Sequence, residues 1–236
     1  MPFQYDPLYW IIIAPAVLVM LFAQWRIKTT FNRWSREPNE QGISGNNIAR
    51  TLLSAYGMPE VTVEGTSGHL SDHYNPVSNI LRLSESTIHA NSVAAMAVAA
   101  HEVGHAQQDF KNSLLMRLRM GIVPLVNLGS QLGPVVFIVG LGLQASTIMW
   151  VGIILFSSAF VFALITLPVE IDASRRAMKM LQETDLITTH EDRRGARAVL
   201  TAAAWTYVAG MLNALFQVIY FIILALSGRR RGESPA

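Results

Sequence analysis

Four stretches of this 236-residue chain are long and apolar enough to cross a hydrocarbon layer, and no other feature restricts its fold as strongly. They cover residues 8–23 (LYWIIIAPAVLVMLFA), 121–143, 148–168 and 205–226. Inside a bilayer each backbone polar group must find its partner within the segment, so each stretch is expected to be a helix. Composition agrees: 14% charged and 51% hydrophobic residues is the balance of an integral membrane protein. Tyr9, Trp10 and Trp25 flank the first stretch as interfacial anchors. No basic segment precedes that stretch and no small-residue cleavage site closes it, so it reads as a span and not a signal peptide. Residues 144–147 (QAST) leave room only for a tight turn, which makes the second and third spans a hairpin. Asn127, Gln131, Asn213 and Gln217 are costly in lipid and are expected to face neighbouring helices. The glycines of LGSQLG and GLG in the second span allow close helix contact.

Basic residues cluster at one end of the spans. Arg26, Lys28, Arg33 and Arg36 follow the first, whereas only Asp6 precedes it. Lys111, Arg117 and Arg119 lead into the second, Arg175, Arg176 and Lys179 follow the third, and Arg193, Arg194 and Arg197 precede the fourth. The positive-inside rule makes that side cytoplasmic, with Arg229, Arg230 and Arg231 dissenting. Five segments follow: an N-terminal span (1–27), a cytoplasmic insert (28–120), a helical hairpin (121–169), a helical cytoplasmic segment (170–204) and a C-terminal span with a basic tail (205–236). In the insert, Ser44 is positioned to cap a helix over 45–56 that Gly57 stops. PEVTVEG and NILRLS alternate as two strands, GHLSDHYNPVSN between them is rich in turn formers, and an Ala-rich helix is expected from 86 to 109.

That helix carries HEVGH. His101 and His105 stand four residues apart, hence on one helical face, where two neutral imidazoles can hold a borderline cation such as Zn²⁺. Glu102 falls beside the ion and not on it, a place from which a carboxylate can take the proton of an attacking water and return it to a leaving amine. Gly104 permits another backbone or a substrate to approach the ligand face. With no cysteine in the chain, a third ligand comes from His, Asp or Glu. Glu170, Asp172, Glu183, His190 and Glu191 lie downstream; His69, Asp72, His73 and His89 lie upstream. Glu170 is the best placed, because the hairpin returns the foot of the third span to the level where the HEVGH helix enters the second. Asp172 faces away from Glu170 on a helix and pairs naturally with Arg176. His89 is more than three helical turns from His101, too far to join the ligands.

SDHYNP, LRLS, AAHEVGHAQQ, PVEIDASRRA and AAAWTYVAG, together with the N-terminal span, closely resemble the YugP-like family of neutral zinc metallopeptidases of bacterial membranes. The chain is more distantly similar to the HtpX-like and related membrane gluzincins. The resemblance implies a mostly α integral membrane protein with about four transmembrane helices and a small α+β metallopeptidase domain of gluzincin type. It implies one Zn²⁺ on His101, His105 and Glu170, with Glu102 as general base and the site on the cytoplasmic side of the plasma membrane. The gluzincin pattern has Asp four residues after the Glu ligand. Here that position is Ser174, so either Asp172 or Ser174 supports the ligand imidazoles.

Such an enzyme needs a second oxyanion donor, for which His73 is the candidate, with His69, Tyr74 and Tyr207 as alternatives. An edge strand beside the motif helix can pair with extended substrate; Asn79, Ile80, Leu81, Arg82 and Leu83 are the candidates, unless they form the inner strand of a small sheet. The expected partners are a peptide or protein substrate and the lipid bilayer, with a homo-oligomer or another membrane protein possible by type. The basic residues are scattered along an interface and form no stripe for nucleic acid. Rival functions are a zinc-stabilised scaffold without catalysis, and a transporter, which four spans without a charged residue disfavour.

Overall fold

The computed structural model describes residues 7–68 and 70–232, with side chains to residue 227. Asp6, His69 and the side chains of Arg229, Arg230 and Arg231 lie outside the described residues. The elements, in order, are α1 (Pro7–Trp34), α2 (Gly45–Ala55), β1 (Thr62–Thr66), β2 (His73–Asn75), β3 (Ile80–Ser84), α3 (Glu85–Ile88), α4 (Val93–Phe110), α5 (Leu114–Gly142), α6 (Ser146–Glu183) and α7 (His190–Gly232). The fold is thus mostly helical with one small sheet. Among the described residues four helices, α1, α5, α6 and α7, are long and apolar enough to cross a membrane. The chain divides into two units, one of Met1–Phe22, Leu118–Leu167 and Tyr207–Ala236, the other of Ala23–Arg117 and Pro168–Thr206.

In the first unit, glycine lets α5 and α6 touch backbone to backbone. A Cβ on Gly133 would fall 2.6 Å from the amide nitrogen of Phe156, and one on Gly152 would fall 2.5 Å from that of Phe137. Around this contact Phe137 stacks on Phe221 with ring centroids 4.4 Å apart, and Tyr9 meets Tyr220 edge-on at 5.1 Å. Aromatic pairs of this geometry supply the packing that hydrophobic exclusion does not provide between apolar helices in lipid.

The second unit is built around α4, whose residues from Val93 to Ala100 are almost all buried. Alanine keeps helix propensity while its small side chain admits neighbours closely, so α4 packs on α2, α3, β2 and β3. Phe31 and Trp34 of α1, Leu52 of α2, Leu81 and Leu83 of β3 and Leu181 of α6 close the same core. Ser44 caps α2, accepting from the Asn47 amide. The helix expected over 86–109 is broken at residues 89–92. Carbonyls there take tertiary donors instead of helical ones: Ala90 accepts from the Gly45 amide, and Asn91 accepts from the Asn39 amide and side chain. Ser92 then starts α4 as a new cap, accepting from the Ala95 amide at 3.2 Å.

The sheet order is β1-β3-β2, with β3 parallel to β1 and antiparallel to β2. Residues 80–82 therefore have partners on both flanks. This corrects the expectation of a substrate-pairing edge at Asn79, Ile80, Leu81, Arg82 and Leu83: the inner-strand alternative is the observed one. The backbone of β3 already satisfies β1 and β2, while Asn79 precedes the strand and accepts from the Tyr74 hydroxyl at 3.0 Å. The edge lying against α4 is β2, which falls within a segment whose turn formers concealed it.

Candidate metal centre

All members of the site belong to the second unit. α4 presents His101 and His105 on one face with ring centroids 4.8 Å apart. α6 brings Glu170, 2% exposed, against both: its Oε2 lies 3.2 Å from His101 Nε2 and 3.4 Å from His105 Nε2. A tetrahedral zinc ion with ligand distances of roughly 2.0–2.1 Å has ligand-to-ligand edges of about 3.3–3.4 Å. The two carboxylate–imidazole edges match that spacing, and two imidazole nitrogens with one carboxylate oxygen match the ion's chemistry. Among the described residues this is the group of three His, Asp or Glu that can hold a metal, its ligand atoms lying within 4.8 Å of one another.

The approach of α6 to α4 depends on Gly104. A Cβ there would lie 2.6 Å from the carbonyl oxygen of Ala173, three residues beyond Glu170. The glycine that sequence reading reserves for a close backbone thus faces α6.

The imidazoles are fixed through their Nδ1 atoms. His105 Nδ1 lies 3.0 Å from Gln108 Oε1, and His101 Nδ1 lies 3.2 Å from Ser174 Oγ. Because the Gln108 oxygen can only accept, His105 donates from Nδ1, which leaves Nε2 facing Glu170. Gln108 is itself locked: its amide donates to the Val169 carbonyl at 2.9 Å and to Asp172 Oδ2 at 2.8 Å. Arg176 Nε donates to the same Asp172 oxygen at 2.6 Å, and its Nη1 donates to Gln107 Oε1 at 3.0 Å. Ser174 thus touches a ligand histidine directly, whereas Asp172 acts on the other through Gln108. Sequence reading missed the glutamine, though its signal was present three residues after His105, on the same helical face. Gln108→Ala is expected to lower zinc affinity by about 10–100-fold, measured by competition with a chromophoric chelator.

Glu102 is buried, and burial pushes its carboxyl up to about 7. The His101 charge and a hydrogen bond from the Tyr74 backbone amide oppose that rise, while the Glu170 and Asp72 charges add to it. β2 therefore reaches the motif helix through its backbone. Asp72 holds the entry to that strand by accepting from the Ser84 amide at 2.8 Å and from the Ser84 hydroxyl. The Tyr74 ring is buried, and its hydroxyl donates to Asp109 Oδ2 at 3.0 Å.

The remaining candidates stand apart. His73 is exposed, its Nδ1 2.9 Å from the Ser71 carbonyl, so the neutral ring offers only an acceptor at Nε2. His89 pairs loosely with Glu85 at 3.7 Å on an exposed surface. Glu183 accepts from the Tyr56 hydroxyl, whose ionisation burial pushes up to about 12. His190 and Glu191 begin α7 on the exterior, and Tyr207 belongs to the first unit.

No solved structure matches this chain. A relative from Bacillus subtilis (strain 168) carrying the name "Putative membrane protease YugP" is 40% identical over 214 residues, covering 91% of this chain and 95% of the relative. The family described as "Putative neutral zinc metallopeptidase" matches over residues 9–226, which takes in His101, His105, Glu170 and all but the outer ends of the four apolar helices. The chain belongs to that family.

Proposed function

We propose that this protein is a membrane-anchored zinc metallopeptidase of gluzincin type, hydrolysing peptide bonds in unfolded or membrane-protruding segments. The observation that carries the reading is a buried carboxylate, Glu102, set beside a three-donor site, two of whose members are buried, without being one of its donors. Held by His101, His105 and Glu170, zinc would supply Lewis acidity, acidifying the attacking water and polarising the scissile carbonyl. Glu102 takes the proton of that water and delivers it to the departing amine. The Tyr74 amide holds the Glu102 carboxylate in position through both transfers. Gln108 and Ser174 keep each imidazole in the orientation that leaves Nε2 facing the site.

An extended substrate would lie along the outer edge of β2, the strand whose backbone already reaches Glu102. Main-chain pairing of that kind tolerates many sequences, as suits an enzyme for unfolded segments. His73, on the same strand, would serve as oxyanion donor with its ring turned away from the Ser71 carbonyl. Charge supports a cytoplasmic site at a bacterial plasma membrane. Of the sixteen cations that border the four spans in the sequence, twelve belong to the unit that carries Glu102, against Arg119 and the dissenting Arg229, Arg230 and Arg231.

The test is metal removal from the detergent-solubilised full chain acting on an unfolded protein. Chelation is expected to abolish cleavage, and one equivalent of zinc to restore it. A zinc-loaded protein inert toward unfolded proteins and single-span peptides alike would sink the peptidase reading and favour the scaffold.

A further inference from the structure

A cavity of about 590 Å³ is walled by residues 171–182 of α6 and residues 197–204 of α7. One portion of its lining is cationic, from Arg175 and Lys179 on α6 and Arg197 on α7. Arg175 and Arg197 are exposed, and among the described residues neither has a carboxylate in ion-pair contact. Lys179 shares Glu183 Oε1 at 3.5 Å, but both side chains are largely in solvent, where such a pair is easily exchanged. The other portion is apolar, from Ile171, Leu200 and Ala204.

The two walls grade in the same sense. On α6 the apolar run ends at residue 168, so Ile171 is the lining residue nearest to it and Lys179 lies two turns further away. On α7 the run starts at residue 205, so Ala204 adjoins it and Arg197 is two turns removed. On each helix the lining residue nearest the membrane span is apolar and the cations lie further from it, with Met178 between the two α6 cations and Thr201 between Leu200 and Ala204. A ligand that fits this gradient has an anionic head and an apolar tail that enters a bilayer. An acidic peptide would satisfy the cations and leave the apolar wall in water.

We propose that the cavity seats an anionic phospholipid. Its phosphate lies among Arg175, Lys179 and Arg197, where two guanidinium forks match phosphate oxygens, and the first carbons of an acyl chain lie on Ile171, Leu200 and Ala204. The volume suits one headgroup and the start of its tails. Ser174 lines the same cavity while contacting His101 Nδ1, so the seated lipid borders the metal centre. The proposal does not depend on hydrolysis.

The full chain, stripped of lipid in neutral detergent, would be titrated with phosphatidylglycerol and with phosphatidylcholine and followed by native mass spectrometry. The expected result is a saturable phosphatidylglycerol adduct at a concentration on the order of tenfold lower than for phosphatidylcholine. R175Q/K179Q/R197Q is expected to bring the two lipids together, whereas K28Q/R36Q, which alters cations outside the cavity, keeps them apart. Equal binding of both lipids by the unmodified chain overturns the proposal without recourse to any variant. So does loss of the preference in K28Q/R36Q. Displacement of the lipid by inorganic phosphate or by an acidic hexapeptide at matched concentration would assign the cavity to those ligands instead.

Discussion

Glu102→Gln is expected to leave zinc bound and to lower peptide hydrolysis by about 10²–10⁴-fold, the usual share of a general base in a rate. The substitution is close to isosteric, and Glu102 is not among the three ligand donors, so metal content measured beside activity separates a lost base from a lost site. Equal turnover by the zinc-loaded mutant would remove Glu102 from the mechanism. The same mutant has a second signature in the metal-free protein. The Glu102 carboxyl ionises at about 7 in the fold, against 4.5 for a solvated glutamate. Between those values the folded chain binds more protons than the unfolded chain, so this group's contribution to stability falls as pH rises through the interval. Above pH 7 the buried charge costs roughly 3 kcal/mol, which glutamine does not incur. Metal-free Glu102→Gln is therefore expected to melt higher than the unmodified chain at pH 8 and level with it near pH 4.5. Identical melting curves at pH 8 would show that the carboxylate is not buried as described.

Glu170→Ala is expected to lose zinc altogether under conditions where the unmodified chain retains it. Sharing roughly 10–16 kcal/mol of zinc binding among four ligand positions gives each about 3 kcal/mol, or on the order of 100-fold in affinity. The carboxylate is 2% exposed and lies within 3.4 Å of both imidazoles, so its loss removes one of the three donors outright. Asp172, the nearest alternative along α6, is occupied by Gln108 and Arg176. Asp172→Asn should therefore weaken zinc only modestly, through Gln108. Zinc lost from Asp172→Asn and kept by Glu170→Ala would reverse the assignment.

The apolar runs, the HEVGH spacing and the carboxylate after the third span were legible because each depends on local order: length, helical period, and one tight turn. What stayed hidden depends on contacts distant in sequence. His73–Asn75 is too short and too polar to read as a strand, and becomes one because β3 offers a partner and Glu102 accepts the Tyr74 amide. Residues 89–92 carry no proline or glycine to mark a break, but the carbonyls of Ala90 and Asn91 accept from Gly45 and Asn39, some fifty residues earlier. The strand at 80–84 was found, yet its place in the sheet was not, since alternation reports burial and is silent on neighbours. Gln108 is the instructive miss. A neutral side chain next to a metal motif attracts no notice on chemical grounds, although its i+3 position places it under His105.

The contact between Gly104 and Ala173 has a genetic consequence. Most steric lesions in a protein core can be relieved by trimming the residue they strike. Here the struck atom is a backbone carbonyl, which no substitution at 173 can shorten. A defect caused by alanine or a larger residue at 104 is therefore expected to have no suppressor at the position it touches. Revertants should instead restore glycine, or fall at sites that shift the whole of α6.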